Sequence, residues 1–158
     1  MPVYKSIFQS ATNVTPHLAE SVDDFAGCKV NDVIYDEKLQ KLIFYGKVDS
    51  SSSPKKYDVE LHFFNVDKFE NLSEDEIQEG YKPKPNLQDH EIKLRCNCQN
   101  YRFRFDKANR LNKVGAGRGF GAYQRKTDRK PYNPHNYAGL CHHLVQFVEY
   151  LQSQGFIF

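Results

Sequence analysis

Two short stretches of the chain hold side chains suited to metal ligation. RCNCQNYRFRF supplies Cys96 and Cys98, and GLCHHLVQF supplies Cys141 and His143. Three thiolates and one imidazole form a closed tetrahedral donor set of the kind zinc prefers. Forty-two residues separate the two pairs, so a shared ion would join distant parts of the chain. Four soft ligands drawn from four cysteines and six histidines seldom fall into two such pairs by chance. A catalytic zinc keeps one position open for water; here protein fills all four, which predicts one structural Zn2+ and no catalytic residue. His142, His135, Asp106 and Asp128 are the remaining acid–base candidates, and each is expected to be an exposed polar residue. There is no His-Glu-x-x-His, no His-x-Glu with Pro-Cys-x-x-Cys, no GxxxxGK[ST] and no Gly-x-Ser-x-Gly. The expectation is a protein that is not an enzyme and takes no small-molecule substrate.

The elements around these residues must explain the spacing. HEIKLRCNCQNYRFRF alternates, with Ile92, Leu94, Cys96 and Cys98 on one side and Glu91, Lys93, Arg95 and Asn97 on the other. In a strand, residues two apart point the same way, so Cys-x-Cys there offers both sulfurs to one ion. NPHNYAGLCHHLVQFVEYLQSQGF reads as a helix, with Leu140, Leu144, Phe147, Val148 and Leu151 recurring at three and four residues and Gly155 as its C-terminal cap. Residues two apart on a regular helix diverge by about 200 degrees, so Cys141 and His143 can share an ion only if the helix begins close to Cys141. His142 then faces solvent.

Upstream, KVNDVIYD and LQKLIFYGKV predict two strands turning at Asp36-Glu37-Lys38, followed by a loop at 50–54 and a third strand in YDVELHFFNV. In that strand Tyr57, Val59, Leu61 and Phe63 oppose Asp58, Glu60 and His62. The stretch 67–90 reads as a solvated connector with one short helix, capped by Ser73 with Glu76 three residues on and stopped by Gly80 and two prolines. The fold class is therefore α+β: a β-rich, antiparallel part over 1–66, the connector, and a zinc-binding part over 91–158 built on a β-hairpin and the closing helix. One domain over 1–158 is the expected organisation.

Composition narrows the partners. Twelve Phe and ten Tyr with a net charge of +2 describe a folded chain rather than a disordered one. The start MPVYKSIFQS lacks a secretory pattern, and no run approaches the roughly 18 apolar residues of a membrane span, so no membrane role or export is expected. Cysteines in such a chain are expected as metal thiolates rather than disulfides, with the lone Cys28 simply buried. Between Lys93 and Lys130 stand twelve Lys or Arg against two Asp. The basic insert over 102–130, through Arg118, Phe120, Tyr123, Arg125, Lys126, Arg129 and Lys130, could meet acidic surfaces of neighbouring proteins. It could equally track a phosphate backbone and stack bases. The terminal FIF either packs under the sheet or enters a neighbour.

CNC followed by CHH, as Cys-x-Cys then Cys-x-His, resembles the SWIM-type zinc motif. The wider context, RCNCQNYRFRF, a basic glycine-bearing insert and NPHNYAGLCHHL, resembles a group of tailed-phage virion structural proteins. Their pattern runs roughly Cys-x-Cys-x-x-Phe, a variable insert, Asn-Pro and Gly-Leu-Cys-Lys-His-Leu. The match covers about 94 to 151; Tyr101 stands where Phe is usual and His142 where Lys is usual, neither at a ligand position. The resemblance implies ligation by Cys96, Cys98, Cys141 and His143. It also implies a zinc-stabilised component of the head, neck, tail or baseplate, located in a virion assembled in the host cytoplasm and contacting other virion proteins in multiple copies. A SWIM-type module that binds nucleic acid through the basic insert is the alternative.

Overall fold

The computed structural model describes residues 3–16, 18, 27–50, 54–120 and 133–158. In chain order its elements are α1 (Tyr4–Ala11), β1 (Cys28–Asp36), β2 (Lys41–Asp49), β3 (Lys56–Phe63), α2 (Glu74–Gln78), β4 (Ile92–Cys96), α3 (Gln99–Arg104), α4 (Asp106–Leu111) and α5 (His142–Ser153). The four strands form one antiparallel sheet in the order β1-β2-β3-β4. The α+β expectation holds, and the three-strand meander gains β4 as its fourth member.

Alternation decides which side of the sheet is covered. Leu42, Phe44 and Val48 on β2, Val59, Leu61 and Phe63 on β3, and Ile92, Leu94 and Cys96 on β4 are all buried. The register aligns them across the strands: Phe44 faces Leu61, and Leu61 faces Leu94. The apolar stripe of α5 (Leu144, Phe147, Val148 and Leu151) packs against this face within one continuous core. Gly46 is where the helix comes closest, since a Cβ there would lie 2.4 Å from the Phe147 ring. The side chain is missing where the Phe147 ring occupies its place.

The turns obey local chemistry. Asp36 Oδ1 accepts the amides of Lys38 and Leu39 at the β1–β2 turn, an Asx arrangement. Ser73 and Glu76 form the predicted capping box at the start of α2. At the end of α5, Gly155 has φ +77°, its amide donates to Gln152 O, and the Phe156 amide donates to Leu151 O. That pair of bonds is a Schellman cap. Of the terminal FIF, Ile157 is buried and Phe156 meets Phe44 edge-on at 5.9 Å. The chain end is pinned by Phe158 N–H to Pro85 O and Leu87 N–H to Phe158 O.

Several elements depart from the sequence expectation. The strand with the cysteines ends at Cys96, and the chain turns into α3 and α4 where further strand and then loop were expected. Beyond α4, residues 114–116 return alongside β4: Leu94 N–H donates to Val114 O and Ala116 N–H to Leu94 O. The first part of the basic insert is thus ordered structure, while Tyr123, Arg125, Lys126, Asp128, Arg129 and Lys130 lie outside the described residues. His62, placed on the polar side of β3, is buried and hydrogen-bonds Glu60 at 2.6 Å. Asp106, expected exposed, is buried and accepts the Phe120 amide at 3.1 Å and Arg110 at 3.3 Å. Cys28 is buried and His142 and His135 are exposed, as expected. Helix α1, packed through Ile7 and Ala11, had no counterpart in the sequence reading.

Candidate metal centre

Cys96, Cys98, Cys141 and His143 come together, and their ligand atoms all lie within 4.8 Å of one another. A tetrahedral ion about 2.3 Å from each sulfur sets neighbouring donors about 3.7 Å apart, so the cluster is close to the size one ion requires. The three cysteines are buried and His143 is half-buried. The sulfur-rich donor set could hold one metal ion.

Each donor is placed by a different local device. Cys96 is the last residue of β4 and shares the buried face with Leu94 and Ile92. Asn97 then leaves the sheet while staying tied to β3: its amide donates to Asp58 O, and its Oδ1 accepts the Asp58 amide at 2.9 Å. Cys98 is the N-cap of α3, and its sulfur accepts the Tyr101 amide at 3.4 Å. An N-cap acceptor satisfies an otherwise orphaned helical amide, so the thiol ends the strand and starts the helix. The sulfurs therefore converge across a strand-to-helix turn, not along one strand as the alternation suggested.

Cys141 is the N-cap of α5, with extended backbone (φ −92°, ψ 171°). It lies outside the helix, so the 200-degree divergence of a regular helix does not apply to the pair. The carbonyl of Cys141 accepts the amides of Leu144 and Val145. His143, the second residue of α5, turns Nδ1 toward Cys96 Sγ at 4.0 Å and lies against the Tyr57 ring at 4.6 Å between centroids.

Behind the ligands runs a buried polar network that sequence reasoning missed. Asn109 is fully buried, its Oδ1 accepting the Gly139 amide at 2.8 Å and its Nδ2 donating to Gly139 O at 2.7 Å. Nδ2 also reaches Tyr101 Oη at 3.1 Å, and Tyr101 donates to Leu94 O at 2.9 Å. One carboxamide thus joins α4 to the segment before Cys141, and one phenol joins α3 to β4. The hydroxyl that distinguishes Tyr101 from the Phe of the resembled pattern has a definite partner. Asn109 had no sequence signal, because KANRLNK reads as ordinary polar helix.

Thiol ionisation follows from this packing. Burial pushes the Cys96 and Cys141 thiols upward, whereas Cys98 is pulled well down because the Cys141 and Cys96 thiols both hydrogen-bond its sulfur. Three thiolates this close would repel one another; a divalent cation held there would offset that repulsion and displace the thiol protons.

Of the other candidate contacts, Arg118 and Phe120 are described, and neither is among the four clustered residues. Arg118 is exposed, whereas Phe120 is half-buried, edge-on to Tyr101 and covered by the guanidiniums of Arg95 at 4.0 Å and Arg102 at 5.0 Å. Its ring is already engaged within the molecule. Among the described residues no helix is long and apolar enough to cross a membrane. In comparisons with known proteins, no family model, curated protein or solved structure matches the chain. What is established is an α+β chain with a Cys3His cluster able to hold one metal ion.

Proposed function

We propose that the ion is zinc, that its role is structural, and that the chain is a non-enzymatic component of a tailed-phage virion acting through protein contacts. The observation that supports this best is the closed donor set: four soft ligands from β4, the turn into α3 and the start of α5, with three of the four buried. When bound, zinc would neutralise the thiolates and cross-link those elements. The protein supplies the rest: Asn97 and Asp58 fix the first turn, Asn109 holds the approach to Cys141, and Tyr57 backs the imidazole. The virion setting is supported by the motif resemblance over 94–151.

Elemental analysis of the protein, purified without added metal, is expected to give about one zinc per chain, with the metal lost in Cys96→Ser and His143→Ala. A folded wild-type protein without metal would overturn the zinc reading. Probing purified particles with an antibody to this chain separately tests the virion assignment: the signal should co-sediment with particles, and a signal confined to the soluble fraction would overturn it.

A further inference from the structure

We infer that copies of this chain bind one another head to tail, the acidic connector of one docking on the arginine-bearing face beside β4 of the next. The inference deepens the proposed multi-copy structural role, but the contact is derived from charges placed at the two ends of one strand pair.

At one end, where Phe63 pairs with Ile92, the chain leaves and re-enters the sheet through the connector. That connector is fastened to the sheet by His90, which bonds Phe64 O at 2.9 Å and Glu70 at 2.5 Å, and is closed on itself by Lys84 with Glu76. Glu70 and Glu76 are therefore used internally. Glu74, Asp75 and Glu79 remain exposed on and just after α2, with no ion pair to any of the described residues.

At the other end, where Val59 pairs with Cys96, the charge is reversed. Arg95 stacks on Phe120 and donates from Nε to Arg118 O at 3.0 Å; Arg102 stacks on the same ring. A guanidinium held by its face keeps its N–H edges for a planar carboxylate, and pre-positioning lowers the cost of binding one. Among the described residues neither Arg102 nor Arg118 has an ion pair, and Asp106 is turned inward. Among the described residues the Phe120 ring is engaged by Arg95, Arg102 and Tyr101, and Glu60 beside Arg95 would repel a phosphate chain. These features favour discrete carboxylates over nucleic acid.

Exposed apolar side chains occur on the same segments, Phe69 at 52% exposure in the connector and Leu111 at 61% at the end of α4. The two ends of β4 themselves lie about 13 Å apart, for its four residue steps. A contact between unlike surfaces leaves one of each free, so association continues to a ring or a filament.

Sedimentation velocity on the full chain is the test, with zinc content and circular dichroism recorded on each sample so that failure of the metal site is recognised separately. Wild-type protein is expected to associate at low salt and dissociate at high salt. Arg102→Glu with Arg118→Glu, and separately Asp75→Lys with Glu79→Lys, should each be folded and monomeric, while mixing the two variants restores association. A wild type that stays monomeric at low salt and high concentration overturns the proposal, as does association indifferent to both variants. Monomeric protein that instead retains a labelled oligonucleotide, lost in Arg102→Glu with Arg118→Glu, also overturns it and assigns the arginines to a phosphate backbone.

Discussion

Asn109 shows how much a single buried side chain can decide. Its carboxamide completes both backbone groups of Gly139 and touches the Tyr101 hydroxyl, so Asn109→Ala leaves several buried polar groups unpaired. Each such group costs about 1–3 kcal/mol, and a total loss of about 3 kcal/mol is expected by chemical denaturation. Tyr101→Phe keeps the ring against Phe120 but removes one donor, and should cost about 1 kcal/mol. The comparison separates packing from hydrogen bonding at a position where the resembled pattern has Phe. Neither variant removes a ligand, so both should still bind one metal ion when folded.

Elements are joined here at places too tight for any side chain. A Cβ on Gly139 would lie 2.2 Å from the Phe105 ring, so the approach to Cys141 can lie against α3 and α4 only as glycine. Gly139→Ala is expected to destabilise by about 2 kcal/mol and to weaken metal retention in a chelator competition, because the α5 ligands are carried by that segment. Gly155→Ala tests a different mechanism: with φ +77° and no neighbour within 4 Å, it should cost about 1 kcal/mol through backbone conformation alone. Its metal retention should match wild type.

For the whole molecule, the metal centre and the outer sheet face give separable responses to pH. Protons compete with the metal for its ligands, so metal retention should fall as pH is lowered, and a chelator should lower the melting temperature most at neutral pH, where the metal is held, and least in acid, where it is already lost. Glu60 acts independently. The His62 hydrogen bond holds its carboxyl below the ordinary 4.5. A depressed folded value means stability that is present above about pH 4.5 and lost as pH falls through that lower value. Glu60→Gln should flatten this acid limb, read as the difference between the two stability-versus-pH curves; parallel curves would contradict it.

Residue type and spacing by themselves determined the donor set, because soft ligands in two x-spaced pairs carry their chemistry wherever the chain places them. They also determined the strands of the meander, the α2 capping box, the extent of α5 and its Gly155 cap, since alternation, helical period and cap chemistry are local. The start of α5 followed as well, because a shared ion forbids Cys141 from lying within a regular helix. Only the tertiary structure decided that the strand stops at Cys96. Alternation through Cys98 fits a strand equally well, and the outcome turned on Asn97 finding Asp58, 39 residues away, and on a thiol serving as a helix cap. The burial of His62, Asp106 and Asn109 was likewise decided by partners brought close in space. A polar residue reads as solvent-facing until the groups that satisfy it are known.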